Sequence, residues 1–269
     1  MTGFLKPRAT VLGCEFAGEV ASLGPGVTWF EEGQRVFGYV EGPFGAHAEY
    51  LVVPQNRSIA TIPDGVSYAQ AAAATEGGHY ALLSLRAAGI GPGTSVLVYG
   101  ATGAIGSAAV QLAKAEGASV TAVCAGPHMD MVSGLGADRC IDYTTEDFTA
   151  DDERYDLVYD AVGKVTFGRC KPLLKDGGCF VSSELGPWAQ NAFLAIAGRF
   201  TKGTRVLFAF PTHDRAMMEY FADLLASGDF RPLIDRHYPL DDIVEAYRYV
   251  GSGQKLGNVI IDVVPPANG

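Results

Sequence analysis

The run Val96-Leu97-Val98-Tyr99-Gly100-Ala101-Thr102-Gly103-Ala104-Ile105-Gly106, continued by Ser107-Ala108-Ala109-Val110-Gln111-Leu112-Ala113-Lys114, decides how the rest of the chain is read. A short apolar stretch enters a turn of glycine and small residues, and an Ala-rich helical stretch leaves it. Small residues at the turn let a pyrophosphate approach the backbone. The start of the helix offers N–H groups without helical partners and a partial positive charge. A tight structural turn would use the same residues. Between a buried strand and a helix, inside a series of β–α units, they point to a dinucleotide.

That series is present on the C-terminal side. Apolar strands are expected at 95–99, 119–124, 139–142, 157–161, 179–182 and 206–210, with helical stretches at 107–116, 129–135 and 187–200 between several of them. Such alternation predicts a parallel sheet covered by helices on both faces, and its short, continuously apolar strands fit burial on both sides. On the N-terminal side, residues 69–88 read as one helix. The Gly-rich part before about Pro63 holds candidate strands at 16–24, 35–39 and 48–53, a small antiparallel unit. Near the end, Asp241 is placed to cap a helix carrying Ile243, Val244, Ala246, Tyr247 and Val250 on one stripe. The strand Asn258-Val259-Ile260-Ile261-Asp262-Val263 and a loose tail, Pro265 to Gly269, follow. The fold class is α/β: a doubly wound Rossmann sheet with a smaller, mainly β domain.

Composition narrows the function. The 269 residues carry a formal net charge of −10 with no run of Lys or Arg, which disfavours nucleic acid as a partner. No apolar stretch reaches spanning length without a charge or turn signal, and residues 1–8 lack a secretory apolar core, so no membrane partner is expected. The cysteines, Cys14, Cys124, Cys140, Cys170 and Cys179, are odd in number and form no C-x-x-C pair. They predict a reducing, cytoplasmic protein. Ser182-Ser183 lies at a strand end without the glycines of a nucleophile elbow.

The second strand ends Val123-Cys124-Ala125-Gly126-Pro127-His128. Cys124, Ala125 and Gly126 would therefore border the adenosine ribose. NAD sites usually hold that ribose with an Asp or Glu at this point. None stands here, since Asp130 falls in the next helix, and a 2′-phosphate is thereby permitted. His128 and Arg139 are candidate positive partners for it, and Tyr143 a hydrogen-bond donor. NADP(H) is favoured, and NAD(H) remains compatible.

The same residues resemble a known family. Gly100 to Lys114, Leu135-Gly136-Ala137-Asp138 with Ile141-Asp142-Tyr143, Tyr155 to Gly163, Gly177-Gly178 and Val181-Ser182 are similar to the cofactor domain of medium-chain dehydrogenases/reductases in their zinc-free, quinone-oxidoreductase-like branch. Gly13 to Gly18, Gly33 to Gly38, Ala48-Glu49-Tyr50 and Lys255 to Val259 are similar to its GroES-like catalytic domain. The resemblance implies a catalytic domain over 1–74 that returns at 213–269, around a Rossmann domain at 75–212. It implies a catalytic domain without its first strands, since such chains start earlier. It adds Val162, Ser182, Phe210 and Asn258 to the cofactor-binding set of Gly100 to Gly106, Cys124 to Gly126 and Tyr143. It implies an interdomain cleft for nicotinamide and substrate, and a homodimer through the sheet-edge strand 206–210.

The implied reaction is hydride transfer between the nicotinamide and a quinone, enone or related small carbonyl compound. Tyr80 stands where the family often has a Thr facing the nicotinamide. Tyr39 is a candidate proton donor and equally a packed strand residue; no catalytic residue is assigned. Zinc-dependent relatives carry Gly-His-Glu where this chain has Gly13-Cys14-Glu15. Cys14 and Glu15 could ligate a metal, but about three protein ligands are needed. No zinc is expected, with Cys14 a small thiol and His47 and His79 surface or supporting residues. A zinc-type alcohol dehydrogenase and a non-enzymatic nucleotide binder on the same fold are the alternatives.

Overall fold

The structure, a computed structural model, describes residues 10–40, 42, 44–198, 203–208 and 214–263. It divides into two compact units, residues 1–76 with 212–269 and residues 77–211.

In the first unit, β1 (Glu15–Glu19) runs antiparallel to β2 (Arg35–Tyr39), with Glu15 opposite Tyr39, and β2 pairs with β3 (Ile59–Thr61). Phe30, Val36 and Ile59 form the core of this sheet, with Phe16, Val20 and Val53 packed against it. Residues 48–53 are not a strand. Val53 reaches the core, but Tyr50 and Val52 are 77% and 95% exposed, so the alternating pattern has no second layer to bury it. The third strand lies instead at Ile59–Thr61, where Ile59 and Ala60 are buried.

The helix expected over 69–88 is broken into α1 (Tyr68–Ala73) and α2 (Thr75–Ala88). Ser67 and Gln70 form a capping box at the start of α1. The break falls where the Thr75 hydroxyl bonds the Ala72 carbonyl and the Glu15 carboxylate, a side-chain alternative to the helical ladder.

The second unit is built on β4 (Ser95–Tyr99), α3 (Ala104–Ala115), β5 (Ser119–Cys124), α4 (Met129–Gly134), β6 (Arg139–Asp142), β7 (Tyr155–Asp160), α5 (Phe167–Cys170), β8 (Leu174–Ser182), α6 (Gln190–Gly198) and β9 (Arg205–Leu207). All six strands are parallel, in the order β6-β5-β4-β7-β8-β9. The chain moves outward from β4 to β6, then returns to the other side of β4 at β7. Ligands of such sheets bind beyond the carboxyl ends of the strands, at this reversal. Val96, Leu97 and Val98 are fully buried, and Leu97, Val123, Val158 and Phe180 belong to one core cluster, as a sheet covered on both faces requires.

The first unit resumes with α7 (Arg215–Ser227), β10 (Ile234–Pro239), α8 (Ile243–Gly251) and β11 (Asn258–Asp262), the last parallel to β10. Asp214 caps α7 by accepting the Met217 N–H at 2.9 Å, and α7 buries Met217, Met218, Phe221 and Leu225. Neither α7 nor β10 is expected from the sequence pattern. Asp241 does not cap α8. A 3₁₀ turn over Leu240–Asp242 starts a residue earlier and runs directly into the helix. Among the described residues no helix is long and apolar enough to cross a membrane.

Candidate functional site

The three glycines after β4 serve different ends. Gly100 has φ +83°, and a Cβ there would lie 2.7 Å from Val162 Cγ1. A Cβ on Gly106 would lie 2.1 Å from the Gly100 carbonyl oxygen. Both glycines are required by the turn itself. Gly103 differs: the nearest atom to a Cβ there is the Gly100 oxygen at 3.6 Å. Its missing side chain leaves room that the protein does not use. Gly103 is also the N-cap of α3, and no side chain caps that helix end. The Gly100 and Ala101 N–H groups donate to the Val123 carbonyl, tying the turn to β5. Ala101 and Gly106 are buried, while Thr102, Gly103, Ala104 and Ile105 are partly open. An uncapped helix start beside an unfilled gap fits a pyrophosphate.

Val162 meets Gly100 in the loop after β7, and a residue that sequence reasoning did not single out shapes this loop. Asp160 is completely buried at the end of β7. Its Oδ1 accepts the N–H groups of Val162 at 3.2 Å, Gly163 at 2.9 Å and Lys164 at 3.4 Å. Its Oδ2 accepts the Val165 N–H at 3.1 Å and the Ser182 hydroxyl at 3.2 Å. Burial pushes the Asp160 carboxyl up, and the four N–H groups pull it back. Ser182 thus enters the site as a partner of Asp160. The available signal was an Asp closing an apolar strand just before a loop: a buried carboxylate there must be met by donors.

At the end of β5, Cys124 is buried, its thiol pushed up to about 11 by desolvation, and its carbonyl accepts the Tyr143 N–H. Ala125 starts a short 3₁₀ turn over Gly126–His128. β5 carries no carboxylate of its own, but one stands beside its end. Asp142 is the register partner of Cys124 on β6, and a Cβ on Gly126 would lie 2.5 Å from Asp142 Oδ2. Arg139, a candidate partner for a 2′-phosphate, is engaged by Asp151 at 2.9 Å and Glu153 at 3.5 Å. Tyr143 is half-exposed, its ring 6.2 Å from that of Tyr99. Both line a cavity of about 410 Å³ together with Phe148, Lys164 and Arg169. Phe210 lies outside the described residues. Asn258 belongs to the first unit, where its amide donates to the Leu233 carbonyl at 3.0 Å.

The first unit has its own polar centre. Glu15 Oε1 accepts the Thr75 hydroxyl and the Glu76 N–H, each at 3.0 Å. Burial, and then the Glu76 carboxylate, raise Glu15 to about 7 against the pull of those two donors and of Lys255. Burial in turn lowers the Lys255 ammonium. His47 meets Tyr247 edge-on, with ring centroids 6.0 Å apart, and Tyr39 is a buried strand residue. In the second unit His79 is buried, not at the surface, and stacks on Tyr80 at 5.1 Å. The Tyr80 carbonyl accepts the Ser84 and Tyr159 hydroxyls. Among the described residues no three His, Cys, Asp or Glu side chains are grouped to hold a metal ion.

Two family models match the chain: the alcohol dehydrogenase GroES-like domain over residues 1–64, and zinc-binding dehydrogenase over residues 135–261. The 2-methylene-furan-3-one reductase of Solanum lycopersicum is 34% identical over 97% of the chain, which spans 65% of that protein, just under two thirds. The chloroplastic quinone-oxidoreductase homolog of Spinacia oleracea is 31% identical over 96% of the chain, which spans 82% of it. The quinone oxidoreductase structure from Pseudomonas syringae pv. Tomato DC3000 superposes with a TM-score of 0.77 at 30% identity, covering 93% of the chain and 81% of that structure. With its strand order, its glycine turn and these relatives, the chain belongs to the medium-chain dehydrogenase/reductase superfamily, in the quinone-oxidoreductase-like branch.

Proposed function

We propose that the chain is an NADPH-dependent oxidoreductase that reduces a quinone, an enone or a related carbonyl compound. The observation that carries the proposal is the gap at Gly103, beside an uncapped helix start at the reversal of the sheet order. When bound, the reduced nicotinamide supplies a hydride to an electron-poor carbon of the substrate. The first turn of α3 binds the pyrophosphate through its N–H groups, and Gly103 gives that group room. Asp160 holds the 162–165 loop, and Val162 with it, against Gly100. The reductase and quinone-oxidoreductase names of the relatives support the substrate class. A preference for NADPH is supported by the lack of a carboxylate on β5.

The reaction runs without a resident metal, a reading supported by the absence of a converging donor set among the described residues. The five free cysteines suit a reducing, cytoplasmic compartment. β9 ends the sheet, and its outer edge is the surface through which a homodimer forms.

The test is NADPH oxidation with a panel of quinones and enones, using the unmodified chain and Gly103→Val. The unmodified chain turns over at least one class. Gly103→Val stays folded and loses nucleotide affinity ~10-fold or more, which a loss of ~1.4 kcal/mol already produces. No turnover across the panel overturns the catalytic reading. Unchanged affinity in a folded Gly103→Val chain overturns the placement of the pyrophosphate.

A further inference from the structure

The carboxylate that usually reads the adenosine ribose stands at the end of the second strand of a dinucleotide sheet. Here that strand is β5, and its end, Cys124-Ala125-Gly126, is apolar. The adjacent strand supplies what β5 lacks. Asp142 pairs in register with Cys124 and closes β6. Its side chain turns back toward the β5 end, so that Oδ2 would touch a Cβ on Gly126. The position is fixed from both sides. Oδ1 accepts the Thr144 N–H at 2.9 Å and the Thr144 hydroxyl at 2.6 Å, and the Gly126 N–H also bonds the carboxylate. Those donors stabilise the ionised form, so the group carries a full negative charge at neutral pH. Among the described residues no ion pair engages Asp142; Arg139, at the opposite end of β6, is held by Asp151 and Glu153.

We propose that Asp142 sets the nucleotide preference of this chain, as a ribose-side carboxylate delivered from β6 instead of β5. The proposal rests on the nucleotide site proposed above. A carboxylate beneath Gly126 places a negative charge beside the ribose 2′ position. It can accept from a 2′-hydroxyl and it repels a 2′-phosphate. The bare end of β5 admits NADPH, and Asp142 restrains how strongly NADPH is preferred over NADH. An Asn in its place would keep the size and, through Oδ1, the Thr144 contacts, while removing the charge and the acceptor of the Gly126 N–H.

The experiment measures the dissociation constants of NADPH and NADH for the full chain, for Asp142→Asn and for Thr144→Val. Thr144→Val loosens the same turn but keeps the charge, and thermal melts report whether each variant is folded. In Asp142→Asn, affinity for NADPH relative to NADH rises roughly five-fold at low salt, and the gain shrinks as ionic strength screens the charge. In Thr144→Val the ratio stays within about two-fold of the unmodified chain. If both nucleotides bind and Asp142→Asn leaves their ratio unchanged, Asp142 does not set the preference. If Thr144→Val moves the ratio as far as Asp142→Asn does, loop shape and not charge is responsible, and the proposal fails. If the unmodified chain binds neither nucleotide, the underlying nucleotide site fails, and this proposal with it.

Discussion

Each unit carries a desolvated carboxylate at a strand terminus, Asp160 fully buried and Glu15 partly, and the two are treated differently. Asp160, in the 77–211 unit, has five donors shared between both oxygens: four backbone N–H groups and the Ser182 hydroxyl. Glu15, in the other unit, has two donors on one oxygen and a second carboxylate, Glu76, close enough to raise it. Burial is the leading cause of the upward shift at both. The difference lies in what opposes it. Backbone donors turn Asp160 into a fastener for the 162–165 loop, whereas the sparser surroundings of Glu15 leave it titrating near neutrality. A buried acid is structural where the backbone answers it and a pH sensor where it does not.

Removing the fastener is the most severe way to break the contrast. Asp160→Ala leaves four N–H groups and a hydroxyl without their acceptor, those of Val165 and Ser182 on buried residues, at a cost on the order of 3 kcal/mol. Thermal melting should show the 77–211 unit losing stability, with nucleotide affinity falling as Val162 is released from Gly100. A variant that melts with the unmodified chain would show that the loop is held by other contacts.

The next effect is smaller and has a definite sign. Glu15 is raised from its usual 4.5 to about 7 in the folded chain. Between those values the folded chain keeps a proton that the unfolded chain has released. Stability is therefore full below about pH 4.5 and falls as pH rises through about 7. The shift corresponds to on the order of 3 kcal/mol. Glu15→Gln, which cannot ionise, should be less sensitive to pH across this window and more stable than the unmodified chain at pH 8. Denaturant unfolding from pH 4.5 to 8 measures both; equal pH slopes would exclude Glu15 as the titrating group.

The second unit was the more legible of the two. Its strands are buried on both faces, so apolar runs such as Val96 to Val98 and Leu157 to Tyr159 mark them directly, and the turn at Gly100 to Gly106 marks the carboxyl end of β4. The first unit hides its order. Its sheet is small, so Tyr50 and Val52 imitate a strand while the real one at Ile59–Thr61 is three residues long. The polar partners escaped for a different reason. Asp142 acts on Gly126, and Glu15 on Thr75 and Glu76, across sequence separations that strand and loop periodicity do not encode. What could be read was each residue's type and its place at a strand end; what could not was the neighbour folded against it.

The finest test exchanges one hydroxyl at each carboxylate. Ser182→Ala removes one of five donors from Asp160 and the acceptor of the Glu184 N–H, while the four backbone N–H groups remain. The loss should be about 1 kcal/mol, a melting shift of roughly 2–4 °C. Thr75→Val removes one of only two donors from Glu15, leaving the Glu76 N–H. The ionised form loses a hydrogen bond, so Glu15 should titrate still higher, by roughly one unit if a charge-assisted bond of about 1.5 kcal/mol is lost. The readout that separates the two is the pH dependence of unfolding. Ser182→Ala should lower the whole stability curve almost evenly between pH 6 and 8, while Thr75→Val should move the Glu15 step to higher pH. If Thr75→Val lowers stability without moving that step, its hydroxyl serves the Ala72 carbonyl and not Glu15, and the two carboxylates differ less than their surroundings imply.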